Sequence, residues 1–160
     1  MADGIVGREA ELDAVERFLD ALRAGPPALV IDGEAGIGKT TVWLEGVRSA
    51  ESRFYRVLQA RPAESEAKLS YAALTDLIGD AFDEVHTALP APQERALATA
   101  LLRSEADEPA DARTTATALV GVLTALAADT PLLVAVDDVQ WLDPASAQAP
   151  YLRPTCRAKR

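Results

Sequence analysis

Apolar positions along the chain follow two patterns, one typical of helices and one typical of buried strands. In the first part of the chain they recur at intervals of three and four, which predicts an amphipathic helix over residues 9–24. A glycine followed by two prolines at 25–27 is a stop signal for that helix. Short apolar segments at 28–32, 54–59 and 132–136 predict three strands.

Helical spacing also predicts helices in the segments outside those strands. The further helices are predicted at residues 40–49, 71–82, 93–102 and 113–128. Helices and strands therefore alternate, and this order is typical of an α/β fold with a largely parallel sheet. No internal repeat is evident.

Residues 33–40 read Gly-Glu-Ala-Gly-Ile-Gly-Lys-Thr and match the phosphate-binding pattern G-x-x-x-x-G-K-[ST] in full. Glycine lets the backbone turn tightly, so that successive N–H groups and the positive end of the following helix face phosphate oxygens. Lys39 is expected to reach the β- and γ-phosphates and to act in catalysis, and Thr40 is expected to bind Mg²⁺. The predicted nucleotide-binding residues of this loop are Gly33, Glu34, Ala35, Gly36, Ile37, Gly38, Lys39 and Thr40.

A second candidate part of the site follows the apolar run 132–136, which ends in Asp137 and Asp138. The run has no polar alternation, so the strand is expected to be covered on both faces and to end where open α/β sheets bind ligands. Asp137 is predicted to hold Mg²⁺, mainly through water, and Asp138 to orient the attacking water in catalysis. For the acidic pair alone a buried strand with an Asx turn is the alternative, but the phosphate loop favours the site.

Composition narrows the classes of function. The 160 residues suffice for one domain with a core, and the net charge of -9 argues against nucleic-acid binding through a broad basic surface. One cysteine excludes an internal disulfide, and with a single histidine it argues against a zinc site. Because the N-terminus lacks a signal-peptide pattern and the apolar stretch 116–128 is too short to span a bilayer, we predict a cytoplasmic protein without a membrane partner.

Three segments, in this order, resemble one family. Val6-Gly7-Arg8-Glu9 precedes the first helix, residues 33–40 form the phosphate loop, and residues 133–143 carry the strand that ends in acids. Together they resemble the N-terminal part of the AAA-type ATPase module of STAND proteins, most closely the large ATP-binding LuxR-family transcriptional regulators of actinobacteria. The stretches at 59–66 and 69–74 are also similar to those regulators, and the resemblance extends from about residue 4 to residue 148.

The resemblance implies a fold, ligands and further site residues. The fold is the three-layer α/β/α P-loop NTPase, with a mostly parallel sheet in the order 5-1-4-3-2, and the ligands are ATP or ADP with Mg²⁺. The residues at 33–40 and 132–138 correspond to the Walker A and Walker B motifs. By the same resemblance Val6, Gly7 and Arg8 lie near the adenine and ribose, and Thr41 adds a hydroxyl near the α-phosphate.

The resemblance also has limits, because the regulators continue after Walker B with further strands and a C-terminal helix-turn-helix. Residues 1–148 are therefore expected to be a partial AAA-type ATPase domain that lacks those strands and does not bind DNA directly. Residues 149–160 contain Arg153, Arg157, Lys159 and Arg160, and we expect a divergent, disordered basic tail. ATP hydrolysis in this isolated chain is expected to be weak or absent.

The predicted function is that of a nucleotide-dependent switch of a transcriptional regulator. Two alternatives stay open, namely a non-catalytic interaction fragment that modulates a longer homologue and an inactive truncated product. Nucleotide is the predicted partner, and self-association or association with longer homologues also stays open. Nucleotide binding separates the switch from both alternatives.

Overall fold

The computed structural model describes residues 7–25, 27–104 and 109–148. The helices and strands within these ranges are α1 (Glu9–Ala21), α2 (Lys39–Ser52), β1 (Arg56–Ala60), α3 (Ala72–Val85), α4 (Ala91–Ala100), α5 (Ala112–Leu126) and β2 (Leu132–Val136). The predicted helices are confirmed with shifts of a few residues at their ends, as are the strands predicted at 54–59 and 132–136. Val6 and the tail at 149–160 lie outside the described residues, and the domain boundary at 148 stays a prediction.

The two strands form a parallel pair, which confirms the predicted type of sheet. Their register runs from Arg56 opposite Leu132 to Ala60 opposite Val136. Parallel strands end at the same edge, so the residues that follow Ala60 and Val136 lie next to each other. This edge carries Asp137, because its backbone N–H donates to Ala60 O at 3.1 Å and extends the pairing by one step.

Helices cover both faces of this pair, as an α/β/α arrangement requires. On one face α1 and α2 bury a cluster made of Val15, Leu19, Val42, Val47, Ala50, Tyr55, Leu133 and Ala135. On the other face α3, α4 and α5 bury a larger cluster with Leu58 and Ala60, whose fully buried members include Ile78, Leu97, Ala118, Leu119 and Val122. The predicted α/β P-loop fold class is therefore supported, with a sheet of two strands in the described part of the chain.

The strand predicted at 28–32 is not formed, so this prediction is wrong. Within the described residues the sheet contains β1 and β2 alone, and no backbone hydrogen bond joins residues 28–32 to either strand. Leu29 and Val30 are 38% and 45% exposed, whereas Ile31 packs against the α1/α2 cluster. A strand is defined by backbone pairing with a neighbour, and this apolar segment has the composition of a strand without that neighbour.

Helix α1 is fixed against α2 by close packing and by charge. Gly46 lets the helices approach, because a Cβ at that position would lie 3.2 Å from Val15 Cγ1. Arg53 Nη1 pairs with Asp20 Oδ1 at 2.7 Å, and its other terminal nitrogen pairs with Glu16. This docking places the N-terminal end of α1 near the N-terminal end of α2, where the phosphate loop enters.

None of the helices in the described ranges is both long enough and apolar enough to cross a bilayer.

Candidate functional site

The glycine loop has a backbone conformation that side chains disfavour. Gly36 and Gly38 have φ angles of 79° and 94°, in the left-handed region that glycine occupies without strain. Gly38 is the residue before the first turn of α2, and its carbonyl accepts from Thr41 N at 3.1 Å. The N–H groups of Lys39 and Thr40 donate to no acceptor among the described residues, which is the arrangement that binds anions at a helix N-terminus.

Lys39 lies folded back over the loop that precedes it. Its Nζ donates to Gly33 O and to Glu34 O, each at 3.0 Å. The ammonium is thus held at the loop by two neutral carbonyls, and charged phosphate oxygens are stronger acceptors for it. Of the other predicted loop residues, Glu34, Ala35 and Ile37 are exposed, as is the following Thr41, while Thr40 is partly buried.

Arg8 connects the start of α1 to the same loop. Its Nη1 pairs with Glu11 Oε1 at 2.9 Å, and its Nη2 donates to the carbonyl of Ile37. Gly7 N donates to Glu9 Oε1 at 3.2 Å within the same short segment. The structure therefore brings Arg8 to the phosphate loop, with Gly7 next to it in the chain. The predicted contact of both residues with adenine and ribose stays a prediction.

Asp137 follows β2 and is buried, with 8% of its surface exposed. Its Oδ1 accepts from Asp138 N at 3.0 Å, whereas its buried Oδ2 accepts no hydrogen bond from the described residues. Arg61 Nη2 lies 3.6 Å from Oδ2, which is an ion-pair distance but too long for a hydrogen bond. The site thus contains a buried carboxylate oxygen whose capacity to bind a cation is not used up.

Asp138 differs from Asp137 in exposure and in conformation. It has φ 49° and ψ 47°, a left-handed backbone that Asp tolerates better than most residues, and its side chain is exposed. Its Oδ1 accepts from Gln140 Nε2 at 2.8 Å, a partner that the sequence pattern did not indicate. The role predicted for Asp138, to orient a water molecule, is not tested by this arrangement.

The two halves of the predicted site lie on the same face of the sheet. Val42 and Val47 of α2 pack in one cluster with Leu133 and Ala135 of β2, and side chains alternate along a strand. Asp137, two residues after Ala135, therefore points to the α2 side. Helix α2, which begins at Lys39, and strand β2, which Asp137 follows, therefore pack against each other in one cluster, as a combined phosphate and cation site requires.

Sequence reasoning missed Arg61, which the structure places between these halves. Its guanidinium lies near Asp137 and also over the ring of Trp43 on α2, 5.7 Å from the ring centroid. The strand register explains the position, because Ala60 pairs with Val136 and the next residue on each strand is Arg61 or Asp137. A cation two residues after the strand predicted at 54–59 was the available signal, but its partner Asp137 was visible only through the strand pairing.

Sequence reasoning also missed a clamp formed by Asp143 and Ser146. Asp143 is 1% exposed, and its Oδ1 accepts from the backbone N–H groups of Tyr71, Ala145 and Ser146 at 2.9, 3.1 and 2.9 Å. Its Oδ2 accepts from Ala73 N at 3.4 Å, and Ser146 Oγ accepts from Leu74 N at 3.1 Å. The segment after β2 thus caps the N-terminus of α3, which has no capping side chain of its own.

The clamp favours the charged form of Asp143. Burial alone raises the pKa of this carboxyl, but the hydrogen bonds from Ser146, Tyr71 and Ala73 together lower it below its ordinary value. The carboxylate is therefore stabilised as an anion by backbone donors and by the positive end of α3.

Comparison with known proteins gives one family. The sequence model of the family described as AAA ATPase domain matches residues 4–158 of this chain. No curated protein and no solved structure matches the chain.

Proposed function

The chain belongs to the AAA ATPase domain family, and from this premise we propose that it binds ATP and ADP together with Mg²⁺. Family membership supports a nucleotide-binding P-loop NTPase module. One observation carries the more specific proposal: Asp137 presents a buried carboxylate oxygen without a hydrogen bond, on the sheet face that α2 and its glycine loop cover.

The loop supplies the groups that bind phosphate. The N–H groups of Lys39 and Thr40 have no acceptor among the described residues, and they lie at the positive end of a helix of 14 residues. The ammonium of Lys39 can exchange the carbonyls of Gly33 and Glu34 for phosphate oxygens within the same loop. Binding therefore requires a small movement of one side chain.

The residues present also fit Mg²⁺, which prefers oxygen ligands and keeps part of its water shell. Asp137 offers a carboxylate oxygen, and Thr40, at the start of α2, carries a hydroxyl. When bound, the ion would neutralise charge on the β- and γ-phosphates. Asp137 would then hold the ion's side of the site, while Lys39 holds the phosphate side.

We assign to Asp138 the role of orienting the attacking water, with slow hydrolysis in the isolated chain. Asp138 is exposed, so solvent reaches its carboxylate, although Oδ1 accepts from Gln140 Nε2 at 2.8 Å. Hydrolysis depends on excluding bulk water and positioning one molecule, and an arginine supplied from elsewhere can add about 10³ to 10⁵ in rate.

A titration with a fluorescent ATP analogue tests the Mg²⁺ assignment. We expect the wild type to bind more tightly with Mg²⁺ than with EDTA, and Asp137→Asn to lose most of that difference. The loss is expected to be about tenfold or more, because charged contacts contribute about 1.5–3 kcal/mol and each 1.4 kcal/mol is tenfold. Asp80→Asn, which changes an exposed carboxylate on α3, is the matched control.

The assignment is wrong if the wild type binds no nucleotide up to millimolar concentration. It is also wrong if Asp137→Asn keeps the full Mg²⁺ dependence while its circular dichroism spectrum matches the wild type.

We further propose that the module acts as a nucleotide-dependent switch of a transcriptional regulator. The resemblance to LuxR-family regulators supports this, and the contact from Arg8 to the carbonyl of Ile37 supplies a physical connection. Through it, a change in the loop on nucleotide binding reaches the N-terminal end of α1.

A pull-down with a longer homologue tests the switch. We expect retention of the longer protein to change between ATP and no nucleotide, and the change to vanish in Lys39→Ala. Retention that is equal with ATP, with ADP and without nucleotide would contradict a switch.

An interaction module without nucleotide chemistry is the second candidate. It is favoured by the second edge of β2, which pairs with no strand among the described residues, and by the exposed side chains of Leu29 and Val30. Unpaired edges beside apolar side chains promote association. In that case the longer homologue is retained and no nucleotide binds, whereas an inactive product shows neither.

A further inference from the structure

We propose that Arg61 is a positioning residue that pairs with Asp137 when the cation is absent and competes with Mg²⁺ for its carboxylate. The proposal rests on the function proposed above and adds an internal competitor that sets how much Mg²⁺ the site requires. The guanidinium lies between the carboxylate of Asp137 and the ring of Trp43, at the carboxyl edge of the sheet.

The fold places Arg61 there by strand register. Ala60 and Val136 are opposite each other, and Asp137 N donates to Ala60 O, so Arg61 and Asp137 are neighbours at the point where pairing ends. Val57 packs in the α1/α2 cluster, and Arg61, the residue after β1, follows it by four positions, which places both on the same side of the sheet. Both charged side chains therefore face α2.

The contact between Arg61 and Asp137 is an ion pair that another cation can displace. Asp137 Oδ2 is buried and has no hydrogen bond, and Arg61 is its one cationic partner among the described residues. At 3.6 Å the guanidinium supplies charge without a hydrogen bond, and 58% of its side chain is exposed. Water can hydrate the guanidinium when it leaves Asp137, so its displacement by a competing ion costs little free energy.

Trp43 provides the second contact of Arg61 and a fluorescence signal that reports on it. It lies four residues after Lys39 on α2, on the same side of the helix, and its ring centroid is 5.7 Å from the guanidinium carbon of Arg61. A cation over an indole ring is attracted by its electron density. Displacement of Arg61 therefore changes the surroundings of Trp43, which has fluorescence of its own.

Competition follows because one carboxylate cannot neutralise two cations at once. Removing the charge of Arg61 leaves Asp137 without its internal partner, so Mg²⁺ should enter more easily. We expect Arg61→Gln to lower the Mg²⁺ concentration for half-maximal enhancement of nucleotide binding by about twofold to fivefold, the range that a partly exposed ion pair contributes. Arg61→Lys keeps the charge and should lie between the two.

The test uses the full chain with Trp141→Phe as the background, because the sequence has two tryptophans and this leaves Trp43 as the single tryptophan. Mg²⁺ is titrated with a fixed concentration of ADP, and again alone, while the emission of Trp43 is recorded. We expect a Mg²⁺-dependent change in emission that is reduced in Arg61→Gln. Arg95→Gln, which removes an exposed charge on α4, should behave as the background chain does.

Three outcomes overturn the proposal. An unchanged Mg²⁺ midpoint in Arg61→Gln, with nucleotide binding intact, rejects competition and leaves the proposed function standing. Weaker nucleotide binding in Arg61→Gln, equal with Mg²⁺ and with EDTA, shows that Arg61 binds phosphate instead. Failure of the background chain to bind nucleotide at all rejects both this inference and the proposed function.

Discussion

Lys39→Ala is expected to lower the affinity for ATP and ADP by at least about a hundredfold. The ammonium is the one positive charge in the loop at 33–40, and hydrogen bonds to charged groups contribute about 1.5–3 kcal/mol each. Two such contacts exceed 2.8 kcal/mol, which is a hundredfold in the dissociation constant. In the absence of ligand the same ammonium donates to the carbonyls of Gly33 and Glu34.

Fluorescent-nucleotide titration measures this change directly, with Lys68→Ala as the control because Lys68 is an exposed lysine outside the loop. Lys39 contributes little to packing, so the free energy of unfolding should stay within about 0.5 kcal/mol of the wild type. Equal nucleotide affinity in Lys39→Ala and the wild type would show that the phosphate loop does not bind the nucleotide.

The elements that depend on local sequence were predictable. The spacing of apolar residues predicts helices α2 and α5 and strand β2. The glycines and the lysine at 33–40 predict that this loop binds phosphate. The same local reasoning predicted a strand at 28–32, where it failed. Leu29 and Val30 have the composition of a strand, but the partner that defines a strand comes from elsewhere in the chain.

The parts of the site that were missed depend on contacts between distant segments. Arg61 and Asp137 come together only because β1 and β2 pair in one register. Asp143 reaches Tyr71 across 72 positions of sequence. Residue type alone showed that these groups are charged, whereas the partner that gives each charge its role required the fold.

Asp143→Ala is expected to destabilise the chain by about 3–5 kcal/mol. Asp143 is 1% exposed and accepts from four backbone N–H groups, of which those of Ala73 and Ser146 are buried. Each buried donor left without a partner costs about 1–3 kcal/mol. The substitution also releases Tyr71, which is held at φ 63° before the first turn of α3. The free energy of unfolding of a typical domain is about 5–15 kcal/mol, so this loss is a large part of it.

Urea unfolding followed by circular dichroism measures the effect, and Asp80→Ala on the exposed face of α3 should change the free energy of unfolding by no more than about 0.5 kcal/mol. Ser146→Ala removes one acceptor, that of Leu74 N, and should cost about 1–2 kcal/mol. A free energy of unfolding for Asp143→Ala within about 1 kcal/mol of the wild type would contradict the clamp.

The pH dependence of stability gives the same clamp an independent test. The pKa of Asp143 is lowered in the folded state, since the hydrogen bonds from Ser146, Tyr71 and Ala73 outweigh the opposing effect of burial. The folded state therefore binds the proton less readily than the unfolded chain, and this contribution is complete above the ordinary pKa of the carboxyl, near pH 4. It disappears as the pH falls through the lower folded value. The wild type should accordingly lose more stability than Asp143→Ala when the pH is lowered from about 5 towards 3, and parallel losses in the two proteins would show that other carboxylates account for the acid sensitivity.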